Sequence, residues 1–126
     1  MSVKHGRSKA RECALQSLYS IKFNPLTLNV NDKLALTYVE GVSDNIDTID
    51  SLIKPHLKKW TIQQLNPVDL AILRIAVYEL TNLETPRPVV VNEALELAKK
   101  YSTDESKKFI HFVLDQVCKD IDGSNN

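Results

Sequence analysis

The sequence predicts a compact all-α bundle. Apolar residues recur at intervals of three and four along nearly the whole chain, which is the period of an α-helix. The 126 residues include only 3 glycines and 5 prolines, too few turn-forming residues for an all-β sandwich. The composition, 43% hydrophobic and 25% charged, is that of a globular protein, and the length fits a single domain over residues 1–126.

The first three helices are predicted from their apolar faces. A helix over residues 8–23 is expected to end before Pro25, and a second, weaker helix covers residues 30–40. The third helix covers residues 43–57, and Pro55 in its last turn predicts a kink or an early stop.

The fourth helix has the clearest predicted start. Asn66 is a favourable N-cap, Pro67 suits the first helical position, and the carboxylate of Asp69 suits the positive end of the helix dipole. Residues 68–80 are apolar on nearly all sides, which predicts a helix buried in the middle of the bundle.

The last two helices follow a rigid, proline-containing connection at residues 84–88. The fifth helix is expected to run through Tyr101. Ser102 and Glu105 match a capping box, so they predict the start of a sixth helix that extends to about residue 121.

Motifs of catalytic and metal sites are absent from the sequence. There is no glycine-rich phosphate loop, CxxC, HExxH or nucleophile elbow, and His5, His56 and His111 fall on separate elements. We therefore predict a protein that is not an enzyme, with no catalytic residue, no metal site and no cofactor. Cys13 and Cys118 lie far apart on apolar helical faces and are expected to be buried, unlinked thiols.

Neither a membrane span nor a signal peptide is apparent in the sequence. No apolar run approaches the ~18–20 residues that cross a bilayer, and the N-terminus lacks the apolar stretch of a signal peptide. A cytoplasmic protein without a membrane partner is expected.

Basic residues are concentrated at the N-terminus, although the 16 basic and 16 acidic side chains of the whole chain cancel. Lys4, Arg7, Lys9 and Arg11 precede the first acidic residue, Glu12. Such a cluster on a neutral protein indicates a local phosphate-binding surface, and a solvated terminus is the alternative interpretation.

An aromatic residue extends this cluster along the first helix. Arg7, Arg11, Leu15 and Tyr19 form a row at i, i+4 spacing, and Tyr19 is expected opposite the centre of the apolar face. Cations for phosphates beside a ring for base stacking are what single-stranded RNA binding requires. In the alternative, Tyr19 packs under a loop from another helix.

Two further basic clusters lie outside the N-terminus. Lys107 and Lys108 come just after the start of the sixth helix, where free backbone N–H groups favour anions, and Phe109 lies at the edge of the apolar arc. The other cluster is interpreted as structural, since lysines at a helix C-terminus beside an anchoring tryptophan need no ligand; it consists of Lys54, Lys58, Lys59 and Trp60.

Three segments of the chain resemble the NusB-type transcription antitermination factors: RSKARECALQSLYS, NPVDLAILRIAVYEL and PRPVVVNEALELAKKYSTDESKKFIHFVLD. The resemblance implies six to seven helices in two small helical subdomains, the first three helices against the remainder. It also implies binding to the box A element of nascent ribosomal RNA together with NusE, a small-subunit ribosomal protein, within a transcription elongation complex. A homodimer is left open.

The resemblance, together with the charge pattern, assigns roles to individual residues. The residues expected to bind RNA are Lys4, Arg7, Lys9, Arg11, Tyr19, Lys107, Lys108 and Phe109. Those expected to contact the protein partner are Asp69, Tyr101 and Glu105. Ser8 replaces a cation of the family's arginine-rich arm, which implies weaker RNA binding or more dependence on the partner. His111 and Phe112 replace the family's usual Asn-Gly pair, and Phe112 is expected to be partly exposed.

The sequence therefore predicts a non-enzymatic RNA-binding adaptor. The alternative is a helical protein–protein scaffold or homo-oligomer without RNA binding, and a third reading is an appendage of an RNA methyltransferase. If the chain is an RNA-binding adaptor, Arg7, Lys9 and Arg11 should each add about 0.7 to the slope of log K for RNA binding against log[salt]. Asp69→Lys should weaken partner binding with little effect on stability.

Overall fold

The structure of the protein is a computed structural model. Its described part contains six α-helices, two short 3₁₀ turns and no strand, which confirms the predicted all-α fold class. The structure describes residues 3–23 and 33–123, and for residues 3–5 and 19–23 it describes the backbone alone. The helices are α1 (Val3–Phe23), α2 (Lys33–Asp44), α3 (Ile46–Ile53), α4 (Pro67–Asn82), α5 (Arg87–Tyr101) and α6 (Asp104–Gly123).

Helix α4 lies at the centre of the bundle, as its apolar sequence predicts. It packs against each of the other five α-helices, and most of its residues are buried. Its start is also as predicted, because the side chain of Asn66 accepts a hydrogen bond of 2.8 Å from the backbone N–H of Val68 and Pro67 occupies the first turn. The helix continues to Asn82, two residues beyond the apolar stretch that ends at residue 80.

Helices α1 to α3 form one half of the bundle, in which α1 packs on α2 and α2 on α3. The predicted early stop at Pro55 is confirmed, since α3 ends at Ile53 and a 3₁₀ turn follows at Lys54–His56. Helix α1 begins at Val3, five residues before the predicted start at residue 8. The predicted start of the second helix at residue 30 lies outside the described residues.

The boundary between α2 and α3 differs from the prediction. Helix α2 runs past Gly41 to Asp44, and α3 starts at Ile46 instead of residue 43. Gly41 is a point of close packing, because a Cβ at this position would lie 2.2 Å from Cζ of Tyr78 in α4. The break comes at Asn45, whose side-chain amide donates a hydrogen bond of 2.8 Å to the carbonyl oxygen of Gly41.

The predicted capping residue of α6 is wrong by one position. Thr103, not Ser102, caps the helix, because its hydroxyl oxygen accepts a hydrogen bond of 3.0 Å from the backbone N–H of Ser106. The Ser102 hydroxyl instead donates a hydrogen bond of 2.6 Å to Asp69 in α4. The Ser102 side chain, which the local sequence pattern assigns to the cap, is therefore bonded to a residue that is distant in the sequence.

The two cysteines are unlinked, as predicted, but each is half-buried instead of fully buried. Partial burial raises the pKa of the Cys118 thiol, and the carboxylates of Asp122 and Asp115 add to this effect.

Within residues 3–23 and 33–123, no helix combines the length and apolarity needed to cross a membrane.

Candidate nucleic-acid interface

Arg11 is buried in the centre of an ion-pair cluster that joins α1 to α4 and α5. Only 3% of the residue is exposed. Its Nε and Nη2 atoms each lie 2.7 Å from an oxygen of Glu79, and Nη1 lies 3.0 Å from Oε1 of Glu93. The bidentate pair with Glu79 is completely enclosed, because the Glu79 side chain has no exposed area.

Arg11, the second member of the row Arg7, Arg11, Leu15 and Tyr19, is therefore not on the phosphate-binding surface that was predicted for it. Leu15 is buried as well, so the buried face of α1 is wider than the apolar residues alone suggest. The guanidinium of Arg11 is held by two carboxylates inside the fold and is not available to a phosphate. The side chain of Tyr19 lies outside the described residues.

Electrostatics within this cluster fix the charged state of Glu79. Burial alone would raise the pKa of Glu79, but the hydrogen bonds and charge of Arg11, together with smaller contributions from Thr85 and Tyr38, outweigh burial and hold the pKa below its usual value of 4.5. Tyr38 in α2 lies close by, and burial together with the charge of Glu79 raises its pKa to about 12. The cluster thus consists of ionised Arg11 and Glu79 beside a neutral phenol at neutral pH.

The other described basic residues of the N-terminal arm are exposed. Arg7 donates a hydrogen bond of 2.8 Å from Nη1 to the hydroxyl of Thr85, and Lys9 projects at the surface. Between them, the Ser8 hydroxyl donates a hydrogen bond to Glu93. Two of the predicted phosphate-binding side chains, Arg7 and Lys9, are therefore presented by a helix that Arg11 anchors. The side chain of Lys4 lies outside the described residues.

Lys9 lies on a groove of about 580 Å³ between α1 and α5, which we call the α1–α5 groove. The groove is lined by Ser8, Lys9, Arg11, Glu12, Glu93, Glu96, Leu97, Lys99 and Lys100. Sequence reasoning missed the last two lysines, although an adjacent pair of lysines in the last turn of a helix is visible in the sequence. Lys100 forms an ion pair of 2.6 Å with Glu12, and Lys99 is exposed.

Tyr101, the last residue of α5, follows the groove residue Lys100. Its hydroxyl accepts a hydrogen bond of 3.0 Å from Nε2 of Gln16 in α1, and Lys100 Nζ lies 5.5 Å from the centre of the ring. The residue is half-buried, so one part of the ring holds α5 against α1 while the rest remains at the surface.

Asp69 is buried, which contradicts the expectation that its oxygens are free for a protein partner. Only 6% of the residue is exposed. Its two carboxylate oxygens accept hydrogen bonds of 2.6 Å from the hydroxyls of Ser102 and Ser106. Asp69 thereby fixes the connection between α5 and α6, and we infer that it positions the start of α6.

This placement gives a testable prediction for Asp69. Asp69→Ala leaves two serine hydroxyls without their acceptor and should lower the free energy of unfolding by about 1–3 kcal/mol, measured by urea denaturation. Glu105→Ala is the matched control, since Glu105 is an exposed carboxylate in the first turn of α6 and its loss should stay within about 0.5 kcal/mol. Equal effects of the two substitutions would contradict a structural role of Asp69.

The start of α6 borders a second groove, of about 310 Å³, which we call the α4–α6 groove. It is lined by Trp60, Gln64, Leu65, Asn66, Asp69, Glu105, Ser106 and Phe109. Phe109 is half-buried here, Lys107 is half-buried, and Lys108 is exposed.

Within the part of the chain that the structure describes, no cluster of three or more His, Cys, Asp or Glu side chains could hold a metal ion.

The structure brings the predicted residues together in two places. Arg7 and Lys9 lie on the side of α1 that faces α5, at the α1–α5 groove or next to it. Glu105 and Phe109 line the α4–α6 groove. Tyr101 connects the two places, because it ends α5 immediately before Ser102, which is bonded to Asp69.

Comparison with known proteins identifies the family of the chain. A sequence model described as the NusB family matches residues 8–119. The chain belongs to the NusB family. The transcription antitermination protein NusB of Macrococcus caseolyticus (strain JCSC5402) is 38% identical over 125 residues, which cover 90% of this chain and 96% of that protein.

Solved structures of NusB proteins share the fold. NusB of T. maritima superposes with a TM-score of 0.80 at 32% identity and covers 90% of each chain. A chain in the crystal structure of antitermination factors NusB and NusE in complex with dsRNA superposes with a TM-score of 0.77 at 27% identity. That match covers 91% of this chain and 97% of the other.

Proposed function

We propose that this NusB-family chain is a cytoplasmic RNA-binding transcription antitermination factor. It binds the box A element of nascent ribosomal RNA together with NusE, as a component of the transcription elongation complex. The proposal is supported by a similar chain crystallised with NusE and RNA, and by the exposed cations that the fold presents beside α5.

The observation that carries the proposal is that one basic residue of the N-terminal arm is buried and holds α1 in place, while two others remain exposed. Arg11 anchors α1 through two buried carboxylates, whereas Arg7 and Lys9 stay exposed on the anchored helix. Cations held on a rigid helix lose less conformational freedom when they bind phosphates than the same cations on a frayed terminus. Ser8 belongs to the anchor, because its hydroxyl bonds Glu93 beside Arg11.

The path of the RNA is proposed to follow the α1–α5 groove toward the start of α6. Lys9 and Lys99 supply cations along this groove for the phosphates, whereas Lys100 is paired with Glu12. Phe109, with Lys107 and Lys108 in the same part of α6, then offers a ring for base contacts beside cations. The exposed carboxylate of Glu105 disfavours phosphate and is proposed to contact NusE, as is Tyr101.

The arm is tested by the salt dependence of RNA binding. Arg7→Ala/Lys9→Ala should make the slope of log K against log[salt] less steep by about 1.4, since each phosphate contact on a single strand contributes about 0.7 to its magnitude. The variant should weaken binding to every RNA sequence alike and keep the stability of the unsubstituted protein. Affinities for a box A RNA are measured at several salt concentrations with NusE present.

The matched control removes two lysines that lie away from the α1–α5 groove. Lys33 and Lys119 are exposed, at the start of α2 and near the C-terminal end of α6, so Lys33→Ala/Lys119→Ala should leave the slope unchanged. Equal slopes for both double variants and the unsubstituted protein would place the RNA surface elsewhere. Absence of any RNA binding, with NusE bound, would favour the alternative of a protein–protein scaffold.

A further inference from the structure

The segment after α3 carries an exposed group of lysines and aromatic rings that the proposed function leaves unused. Trp60 is 50% exposed and Phe112 in α6 is 40% exposed. The exposure of Phe112 is as predicted, and Trp60, which the sequence interprets as an anchor, is half exposed. The exposed half of the indole is available to a ligand.

Each of these two rings has a lysine next to it. Lys58 Nζ lies 4.8 Å from the centre of the Phe112 ring, and Lys59 Nζ lies 5.8 Å from the centre of the Trp60 ring. Both lysines are exposed, and among the described residues neither forms an ion pair with a carboxylate. The surface therefore combines aromatic faces with available positive charge.

The backbone at Lys58, directly after the 3₁₀ turn Lys54–His56 and Leu57, adopts a conformation that favours glycine. Its φ of 58° lies in the left-handed region, and among the described residues it is the only non-glycine residue there. Glycine would adopt this conformation at lower energy, yet lysine occupies it and its ammonium reaches the Phe112 ring. The turn thus holds a cation over an exposed ring.

The rings continue the proposed RNA path along α6. Trp60 and Phe109 line the α4–α6 groove together, and Phe112 follows Phe109 at i+3, which is a rise of about 4.5 Å on the same side of the helix. The rings of Trp60, Phe109 and Phe112 therefore follow one edge of α6, which we call the aromatic edge. Lys58 and Lys59 accompany it from the neighbouring segment.

We propose that the aromatic edge is an additional stacking site for single-stranded RNA, formed by Trp60 and Phe112 with Lys58 and Lys59. The inference rests on the proposed function, because it extends the same RNA path beyond Phe109. Aromatic rings accompanied by cations are the features of sequence-tolerant single-strand binding. Aromatic residues are enriched at protein interfaces as well, but lysine is depleted there, so the two lysines without a carboxylate partner favour RNA. The site contacts nucleotides that flank box A.

Trp60 is the only tryptophan of the chain, so its fluorescence reports directly on this site. A box A RNA is compared with RNAs that extend it by several uridines at either end, with a NusE variant free of tryptophan present. Stacking of a base on the indole should quench the fluorescence with one of the extended RNAs and much less with box A alone. In Phe112→Ala the additional quenching should be reduced.

Affinity measurements on substituted proteins give the second readout. Trp60→Ala and Phe112→Ala should each weaken binding of the extended RNA by about 5- to 100-fold and leave binding of box A alone nearly unchanged. Trp60→Phe should retain most of the affinity, because it keeps an aromatic face. Leu36→Ala removes an equally exposed apolar side chain from α2 and serves as the control without effect.

The outcomes separate this inference from the proposed function. If the extended RNAs and box A bind equally and Trp60 fluorescence does not change, the inference is overturned while the proposed function stands. If no RNA binds, both fail. If NusE alone changes the fluorescence and RNA adds nothing, the surface takes a protein and the inference is also overturned.

Discussion

Arg11→Ala is expected to lower the free energy of unfolding by about 3–5 kcal/mol, because it leaves the Glu79 carboxylate buried without its partner. The Glu79 side chain is fully enclosed, so water cannot replace the two lost hydrogen bonds without opening the core between α1 and α4. Chemical denaturation followed by circular dichroism measures the effect. We expect the substituted protein to be partly unfolded at physiological temperature, since this loss is a large share of the stability of an ordinary domain.

The controls for Arg11 use a second bidentate pair and a double substitution. Arg74 pairs with Asp50 in the same bidentate manner, but both side chains are more exposed than those of Arg11 and Glu79, so Arg74→Ala should cost clearly less than Arg11→Ala. Arg11→Leu/Glu79→Leu should recover much of the stability, because it removes both charges of the enclosed pair and leaves only the partly exposed Glu93 without its ion-pair partner. Denaturation of Arg11→Ala at the same urea concentration as the unsubstituted protein would contradict the buried ion pair.

Acid should weaken the same cluster. The pKa of Glu79 is lower in the folded protein than its ordinary value of 4.5, so the contribution of Glu79 to stability is present above pH 4.5 and is lost as the pH falls through its folded value. In Glu79→Gln this part of the acid destabilisation should disappear. The free energy of unfolding measured between neutral and acidic pH tests the prediction, and an unchanged pH dependence would contradict it.

Gly41→Ala is expected to destabilise the protein although alanine favours a helix. The new Cβ would lie 2.2 Å from Cζ of Tyr78, a buried ring of α4 that cannot move away cheaply. Overpacking of this kind costs about 1–3 kcal/mol or more and exceeds the gain of about 1 kcal/mol from helix propensity. Thermal and urea denaturation measure the net loss.

Gly6→Ala is the matched control for Gly41. A Cβ at Gly6 has no neighbour within 4 Å, so alanine there should be neutral or stabilising by up to about 1 kcal/mol. In a Tyr78→Leu background the cost of Gly41→Ala should shrink, because the ring atoms that cause the contact are gone. If Gly41→Ala and Gly6→Ala stabilise the protein alike, α2 and α4 do not approach at this point.

The elements of the fold follow from local signals, and so they are predictable from the sequence. The start of α4 depends on Asn66 and Pro67, which act on adjacent backbone groups. The end of α3 depends on Pro55, which lacks the backbone N–H that a helix interior requires. In each case the residues that decide the structure are neighbours in the sequence.

The site residues that were predicted wrongly depend on distant partners. Arg11 bonds carboxylates 68 and 82 residues away, and Asp69 accepts hydrogen bonds from serines 33 and 37 residues away. The spacing of charged residues along one helix predicts that their side chains are exposed. It does not show which carboxylates on other helices lie close enough to bond them. The same holds for Trp60, whose exposure depends on how the segment after α3 meets α6.

The central claim, that this chain binds box A RNA together with NusE, is tested most directly by the fluorescence anisotropy of a labelled box A RNA. The RNA is titrated with the chain alone, with NusE alone and with an equimolar mixture, and a scrambled RNA of the same composition is titrated in parallel. The proposed function predicts that the mixture binds box A more tightly than either protein alone and more tightly than it binds the scrambled RNA. A mixture that binds both RNAs equally, or no better than NusE alone, would contradict the claim.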